Sequence, residues 1–291
     1  MNFLVIFLSG VVIGVANIIP GVSGGTMAVV LNIFDRLVGA ISDLKKNFKK
    51  NALFLLTIGL GVIVGILAFT KLITYCLGHY PDATNFFFVG LIVGSIPMVY
   101  KRATADRFKA LHLIPFIIAL AVMIFTVIVS PDDSNVALIT QLNVWNFLKL
   151  FFASILAAAC MIIPGISGSF VMLLLGTYTS VTAAIDGLNL LVLLPVVLGC
   201  VVGFFGGAKL IKLLLEKFPQ ATYFTILGLV IGSIPVLLKP TFWGEAGFVF
   251  PVKLEMLFAA LTLILGFIGA YFLGSRIKDE NKEAQTEAIE P

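Results

Sequence analysis

One short phrase occurs twice in this chain, and each copy interrupts a long apolar run. Residues 18–25 read Ile-Ile-Pro-Gly-Val-Ser-Gly-Gly, and residues 162–169 read Ile-Ile-Pro-Gly-Ile-Ser-Gly-Ser. A Pro-Gly pair ends one helix, and the serine that follows is a favoured cap for the next helix. Such a break is costly inside a membrane, because exposed backbone groups find no water there. Two breaks at matching places are typical of binding sites in membrane proteins built from internal repeats.

The composition of the chain is that of a membrane protein. Of its 291 residues, 60% are hydrophobic and 12% are charged, and the mean hydropathy is +1.11. A soluble domain of this length does not have such a composition. The unbroken apolar runs exclude a transmembrane β-barrel, whose strands alternate polar and apolar residues. The sequence therefore predicts an all-α polytopic integral membrane protein. Because the net charge of +4 lies in short loops, it predicts no nucleic-acid partner.

The two halves of the chain resemble each other beyond the repeated phrase. Gly-Leu-Ile-Val-Gly-Ser-Ile-Pro at 90–97 matches Gly-Leu-Val-Ile-Gly-Ser-Ile-Pro at 228–235. Each half holds five apolar runs, at 3–19, 26–42, 52–77, 83–100 and 111–130 and at 147–163, 170–185, 190–215, 221–238 and 254–274. Glycine pairs predict close helix packing at 61/65, 90/94, 199/203 and 228/232. We interpret residues 1–275 as a single transmembrane domain with repeats at about 1–142 and 143–275.

The charges of the loops predict the orientation of the chain in the membrane. Loops rich in Lys and Arg stay in the cytoplasm, which assigns 43–51 and 101–110 to that side. Loops 131–146 and 239–253 hold few positive charges and fit the outer face. Following the chain between these loops gives two repeats of opposite orientation, with both termini in the cytoplasm. Residues 276–291 are polar and acidic, so we expect a disordered cytoplasmic tail.

The first two runs of each repeat are predicted to form a hairpin. An inverted repeat requires an odd number of crossings in each half. Five full spans meet this requirement, and so do three spans plus one hairpin that enters and leaves on the same side. The first two runs hold about 17 residues each, the lower limit for a span. We therefore favour a re-entrant helical hairpin, broken at Pro-Gly, in each five-segment repeat.

The residues after each Pro-Gly pair are candidates for anion binding. A new helix is expected to begin at Ser23 or Ser167, where first-turn N–H groups have no helical partner and the helix dipole is positive. Small or hydroxylated residues follow, and they let a ligand approach the backbone. The residues concerned are Gly24, Gly25 and Thr26 in the first copy and Gly168 and Ser169 in the second. Such a helix start binds anions. The alternative is a tight turn with a cap and no ligand.

Five further residues complete the candidate binding site. Lys71 and Lys209 occupy equivalent positions in the two halves and could guide a phosphate at each mouth, or only extend toward the headgroups. Asp35 and Arg36 follow the first hairpin, where they could pair locally or contact a headgroup. Asn17 lies three residues before Pro20 and could line the cavity. The chain has no metal-ligand spacing and no catalytic acid–base set, so we expect no metal, no cofactor and no enzyme.

The two copies resemble a bacterial membrane family called PopT, once known only as a domain of unknown function. The resemblance rests on Gly-Val-Ala-Asn-Ile-Ile-Pro-Gly-Val-Ser-Gly-Gly-Thr at 14–26, with Ile-Phe-Asp-Arg-Leu at 33–37, and on the second copy from Pro164 to Tyr178. It covers residues 1–275. It implies transport of undecaprenyl phosphate, a polyprenyl-phosphate lipid, from the outer to the cytoplasmic leaflet of the bacterial inner membrane for envelope synthesis. In many relatives an acidic residue is expected where this chain has Asn17.

Two other functions remain as alternatives at the level of sequence. Membrane-embedded undecaprenyl-diphosphate phosphatases also have inverted repeats with a Pro-Gly-x-Ser hairpin, but their motif continues with Arg and requires nearby glutamates. Here Gly24 and Gly168 follow the serines, which argues against hydrolysis. A carrier for a small soluble anion is the third alternative. The sequence leaves open a coupling proton or ion and an oligomeric state, and membrane lipids are expected partners of any such chain.

Overall fold

The chain forms a bundle of helices around two short broken segments. The computed structural model describes residues 3–19, 22–105, 110–129, 136–244, 247–248 and 253–286. Pro20 and Gly21 of the first copy lie outside the described residues, as do 130–135 of the predicted outer loop and 106–109 of the predicted cytoplasmic loop.

The described residues form twelve α-helices, six from each half of the chain. The first half gives α1 (Phe3–Ala16), α2 (Gly24–Val30), α3 (Phe34–Ser42), α4 (Phe48–His79), α5 (Pro81–Ala103) and α6 (Leu113–Ile128), with a short 3₁₀ turn at Ala110–His112 before α6. The second half gives α7 (Val144–Ile162), α8 (Gly168–Leu174), α9 (Tyr178–Asp186), α10 (Leu190–Lys217), α11 (Pro219–Phe242) and α12 (Lys253–Thr286). Strands β1 (Trp243–Gly244) and β2 (Gly247–Phe248) form one two-residue antiparallel pair.

The helices of the two halves follow the same order and the same pairing. In each half two short helices, of 7 and 9 residues, lie between the first long helix and the next. Helix α1 packs along α4 as α7 packs along α10. The last helix of each half packs on the other half, α12 on α5 and α6 on α11, while α5 and α11 contact each other at the centre. The two halves are therefore interlocked rather than side by side.

Glycines allow the closest of these helix contacts, as the sequence predicted. A Cβ atom on Gly61 would lie 2.2 Å from the Phe7 carbonyl oxygen, and one on Gly203 would lie 2.2 Å from that of Ile155. The other members of the predicted pairs, Gly65, Gly90, Gly94, Gly199, Gly228 and Gly232, would also meet atoms of a neighbouring helix at less than 3 Å. Close backbone approach through small residues supplies the van der Waals contact that holds membrane helices together.

The second apolar run of each half contains a break that was not predicted from the sequence. Runs 26–42 and 170–185 were each interpreted as one continuous apolar run. Instead, Asn32 and Gly176 adopt left-handed backbone conformations, with φ of 57° and 60°. In both turns two backbone N–H groups bond back to the end of the preceding helix, the Schellman arrangement. The axes of α8 and α9 consequently differ in direction by 113°.

Among the described residues, seven helices are long and apolar enough to cross a membrane, so the chain is a multi-pass membrane protein. They are α4, α5, α6 with its preceding 3₁₀ turn, α7, α10, α11 and residues Glu255–Phe272 of α12. Helix α1 is apolar but has only 14 residues. The α12 backbone remains helical to Thr286, which differs from the disordered tail expected from residue 276. Lys, Glu, Ala and Gln are good helix formers, and extending an existing helix requires no new nucleus.

Candidate functional site

The first Pro-Gly break ends at a capped helix, as the sequence predicted. The Ser23 hydroxyl oxygen accepts a hydrogen bond from the Thr26 N–H at 3.1 Å and lies 2.9 Å from the Thr26 hydroxyl. Ser23 has the extended backbone of an N-cap residue. The two side chains are buried, with 6% and 0% of their surface exposed. Both hydroxyls are thus held inside the protein at the start of α2.

The second Pro-Gly turn reaches across the molecule to this cap. The Gly165 N–H donates to the Ser23 hydroxyl at 3.0 Å and to the Thr26 hydroxyl at 2.7 Å. Gly165 has φ of +85°, so it adopts a conformation that only glycine adopts readily. The two copies of the motif therefore meet at one point, through residues that are 142 positions apart in sequence. This contact was not predicted from the sequence, because each copy was interpreted as a separate anion site.

Small residues allow the two breaks to approach each other so closely. A Cβ atom on Gly25 would lie 2.9 Å from the Ile162 carbonyl oxygen. A Cβ atom on Gly24 would lie 3.2 Å from both polar atoms of the Asn17 side chain. The predicted roles of these glycines thus change: Gly25 permits contact between the two hairpins rather than open access to the α2 backbone. Asn17 itself is exposed and lies beside the start of α2.

The hydroxyl groups at the second break are accessible, whereas those at the first break are buried. Ser167 makes no capping hydrogen bond to α8, and its hydroxyl lies 2.7 Å from that of Ser169. Ser167 is half-buried and Ser169 is exposed. Helix α8 buries only Gly168, whereas α2 buries every residue from Gly25 to Val30. The hydroxyl pair of the second break is therefore accessible from outside the protein.

A polar cluster joins the first hairpin to the two central helices. Arg102, in the last turn of α5, donates to Asp35 of α3 and to the Asn32 side chain, and it donates to the Tyr223 hydroxyl at 3.0 Å. Tyr223 of α11 in turn donates to Asp35 at 2.6 Å. The second carboxylate oxygen, Asp35 Oδ1, is buried without a hydrogen-bond partner among the described residues. We call Asn32, Asp35, Arg102 and Tyr223 the Asp35 cluster.

Only one member of the Asp35 cluster, Asp35 itself, was predicted from the sequence as a site residue. Asp35 was expected to pair locally or to contact a headgroup, and its hydrogen-bond partners lie on α5 and α11. Arg102 was interpreted as a loop charge that sets orientation. One residue could have indicated the cluster from the sequence. Asn32 is a polar residue that favours left-handed turns, and it lies in the middle of an apolar run. Arg36 does not join the cluster, because its guanidinium stacks over the Phe54 ring at 4.2 Å.

The two symmetric lysines have different surroundings. Lys71 is exposed on α4 and has no ion-pair partner in the described part of the chain. Lys209 on α10 faces a cleft of about 690 Å³, whose opposite wall is the end of α3 and the loop that follows it. Asp43 in that loop pairs with Lys212 of α10, and this hydrogen bond lowers the pKa of the Asp43 carboxyl. The sequence did not predict the cleft, because its two walls are far apart in the chain.

The fold and these contacts define a helical, multi-pass membrane protein whose two interrupted hairpins meet in the core. The family model described as undecaprenyl phosphate translocase-like matches residues 13–243, and the chain belongs to that family. The resemblance found in the two motifs is thereby confirmed.

Two curated relatives match the chain over most of its length. A polyprenyl-phosphate transporter of Vibrio cholerae is 30% identical over 250 residues, which are 81% of this chain and 77% of the relative. A polyprenyl-phosphate transporter of Staphylococcus aureus is 32% identical over 284 residues, or 94% of this chain and 97% of the relative. No solved structure matches the chain.

Proposed function

We propose that this chain moves polyprenyl phosphate, with undecaprenyl phosphate as its natural form, from the outer to the cytoplasmic leaflet of a bacterial inner membrane. The observation that carries the proposal is the match to two relatives named for this activity, over 81% and 94% of the chain. The fold is compatible with it, because a lipid phosphate needs polar groups in the membrane, and the Ser23 and Thr26 hydroxyls are buried among apolar helices. Transport rather than hydrolysis fits the names of both relatives.

The hairpins are proposed to be re-entrant and to enter from opposite sides. Helix α1 has 14 residues, or about 21 Å, against a hydrocarbon thickness of about 30 Å. Helix α1 is thus too short to cross the hydrocarbon core, which supports a re-entrant first hairpin. Its counterpart α7 has 19 residues and the length of a full span, so for the second hairpin the proposal rests on the sequence likeness of the two repeats. Together with the positive loop 43–51, this supports a first hairpin that opens to the cytoplasm and a second that opens outward, with both termini in the cytoplasm.

The contact between the hairpins supports an alternating mechanism. In the closed arrangement, the Ser23 and Thr26 hydroxyls bond to the Gly165 N–H, while Ser167 and Ser169 are accessible. We infer that the lipid phosphate first binds the accessible hydroxyls of the second hairpin. Separation of the hairpins would then free the buried hydroxyls for the same phosphate. This assigns a binding role to Ser23, Gly24, Gly25, Thr26, Ser167, Gly168 and Ser169, with Asn17 beside them.

A reconstitution experiment tests the proposed activity. Purified protein in liposomes should speed the movement of undecaprenyl phosphate between leaflets and leave a neutral prenol unaffected, with protein-free liposomes as the control. Release of phosphate from undecaprenyl diphosphate would instead identify a hydrolase. Flux of a soluble anion that the lipid does not inhibit would identify a small-anion carrier. Either result would overturn the proposal.

A labelling experiment tests the inverted arrangement separately. Asp82 and Gln220 lie at equivalent places in the two halves, each one residue after the first residue of α5 or α11. Single cysteines at these positions should react with an impermeant reagent from opposite faces of the membrane. Reaction of both from one face would mean parallel repeats and would remove the argument for two opposed hairpins.

A further inference from the structure

A cleft of about 690 Å³ separates α10 from the loop that follows α3, and its walls carry four lysines. Lys45 and Lys46 lie on the loop side, and Lys209 and Lys212 lie on α10. The volume falls in the range of small-molecule sites, about 300–1,000 Å³. The cleft is distinct from the point where the hairpins meet, since none of its lining residues belongs to either copy of the Pro-Gly motif.

Two of the four lysines in the cleft form ion pairs with carboxylates of the described residues, and two do not. Lys212 pairs with Asp43 and lies 3.4 Å from Glu216, while Lys46 lies 3.3 Å from Asp43. These contacts use the carboxylates of the cleft and tie its two walls together. Lys45 and Lys209 have no carboxylate within ion-pair distance in the described part of the chain. Two cations on opposite walls are therefore available to an anion between them.

Apart from Ser42, the other residues that line the cleft are apolar. Phe205 and Leu213 of α10 line it and are exposed on the outside of the bundle, by 37% and 45%. Lys209 lies eight residues, or about 12 Å, from the end of a 28-residue helix that is longer than the hydrocarbon core. The Lys209 ammonium group consequently lies near the boundary between headgroups and hydrocarbon. Phe205, about one turn farther from this end of α10, lies deeper, and Leu213 lies about one turn closer to the end.

We propose that this cleft is a second binding site, at which the phosphate of a polyprenyl-phosphate lipid binds between Lys45 and Lys209 while its first isoprene units lie against Phe205 and Leu213. The site would receive the lipid on the predicted cytoplasmic side, after it leaves the hairpins. The inference rests on the proposed function for the identity of the lipid. The charge pattern selects a phosphate monoester, which carries up to two negative charges for the two free ammonium groups.

Protection of a cysteine in the cleft tests the site directly. Ser42 lines the cleft at the end of α3, so a Ser42→Cys variant, with Cys76, Cys160 and Cys200 replaced by Ala, reports on occupancy. In phosphatidylcholine nanodiscs, undecaprenyl phosphate should slow maleimide labelling of this cysteine. The double change Lys45→Gln with Lys209→Gln should raise the lipid concentration needed for protection about tenfold or more, because two charge-assisted contacts are lost.

Matched controls separate the outcomes. Lys50→Gln removes one exposed charge that follows the loop of the cleft in sequence but does not line the cleft, and it should shift protection by less than about twofold. Equal protection by phosphatidylglycerol would show a general anionic-lipid surface, and protection by inorganic phosphate would show a soluble-anion site. Either result, or no protection by any probe, would overturn the inference. Normal lipid transport without cleft protection would refute only this inference, whereas protection without any transport would refute only the proposed function.

Discussion

The two copies of the Pro-Gly motif have nearly the same sequence and opposite environments. The first lies in the core, with the Ser23 and Thr26 hydroxyls bonded to the Gly165 N–H of the second copy. The second presents Ser167 and Ser169 at an accessible surface. Duplicated sequence therefore does not produce two equal sites within one conformation. Under the inverted arrangement proposed above, the two environments would be exchanged as the transporter changes the side that it opens.

The contacts around each hairpin explain the difference. Helix α2 packs on α5 and α7, and α3 packs on α10, whereas α8 packs mainly on its neighbours α7 and α9. The Asp35 cluster also holds the first hairpin to α5 and α11. The second half has Thr179 where the first has Asp35, so the same set of charges cannot form there. The first hairpin is thus fixed by side chains that the second lacks.

The largest expected effect comes from giving the first hairpin a residue of the second. Gly25→Ser introduces the residue that stands at the equivalent position 169, and its Cβ would lie 2.9 Å from the Ile162 carbonyl oxygen. Overpacking should lower the free energy of unfolding by about 1–3 kcal/mol and abolish lipid transport, because the hairpins could no longer meet. Thermal unfolding and leaflet-exchange assays would measure both effects.

The matched control for this change is Gly39→Ala. A Cβ atom at Gly39 meets no atom within 4 Å, so this change should be neutral or stabilise α3 by up to about 1 kcal/mol. If Gly25→Ser transports normally, close contact of the hairpins is not part of the transport cycle.

A smaller effect is expected from the Asp35 cluster, which distinguishes the first hairpin from the second. Asp35→Asn leaves Arg102 without its charged partner, and Tyr223→Phe removes one donor to the same carboxylate. Because both charged side chains are more than a third exposed, we expect a loss of about 1–2 kcal/mol for the first change and about 1 kcal/mol for the second.

A double-mutant cycle between Asp35 and Tyr223, followed by thermal unfolding, measures their coupling. Independent effects of the two changes would show that the cluster does not act as a unit. Loosening of the first hairpin should also speed labelling of a cysteine at Thr26, which is fully buried in the wild type.

Ser23 and Ser167 are expected to differ by about 1 kcal/mol in their contribution to stability. Ser23→Ala removes the cap of α2 and one acceptor of the Gly165 N–H, so it should cost about 1 kcal/mol of stability. Ser167→Ala removes no cap and should leave stability nearly unchanged, while it weakens binding of undecaprenyl phosphate. The double variant should lose lipid binding and still fold.

Calorimetry and a lipid-binding assay on each variant separate the two serine roles. Equal destabilisation by the two single changes would contradict the asymmetry between the hairpins. Normal lipid binding by the double variant, at normal expression, would remove the serines from the binding site.

The smallest effect is expected from the contact between Asp43 and Lys212. The second half has Gly187 at the position equivalent to Asp43. The hydrogen bond from Lys212 lowers the pKa of the Asp43 carboxyl in the folded protein. The stabilisation is therefore complete above the unfolded pKa of about 3.9 and is lost as the pH falls through the lower folded value. Melting temperatures of wild type and Asp43→Asn should differ slightly at neutral pH and converge in acid. A gap that persists below that range would assign the effect to another contact.

The sequence alone determined the class of the protein and the local structure of its breaks. Apolar runs of spanning length predict helices because backbone groups in lipid must bond within their own segment, and seven such helices are present among the described residues. The Ser23 cap and the glycine contacts were also predictable, since each depends on residues close in sequence or on the small size of glycine. The left-handed turn at Asn32 depends on local preference too, but an apolar run of helical length concealed it.

Only the tertiary structure decided which residues meet across the molecule. The bond from Gly165 to Ser23 and Thr26 joins positions 142 and 139 residues apart, and the bond between Tyr223 and Asp35 joins positions 188 apart. One sequence cannot show such pairs, because they depend on how interlocked helices pack rather than on local preference. The repeats predicted two equal sites, and packing made one of them closed and the other open. The physical reason is that each hairpin's environment is set by the helices around it, and those helices carry different side chains in the two halves.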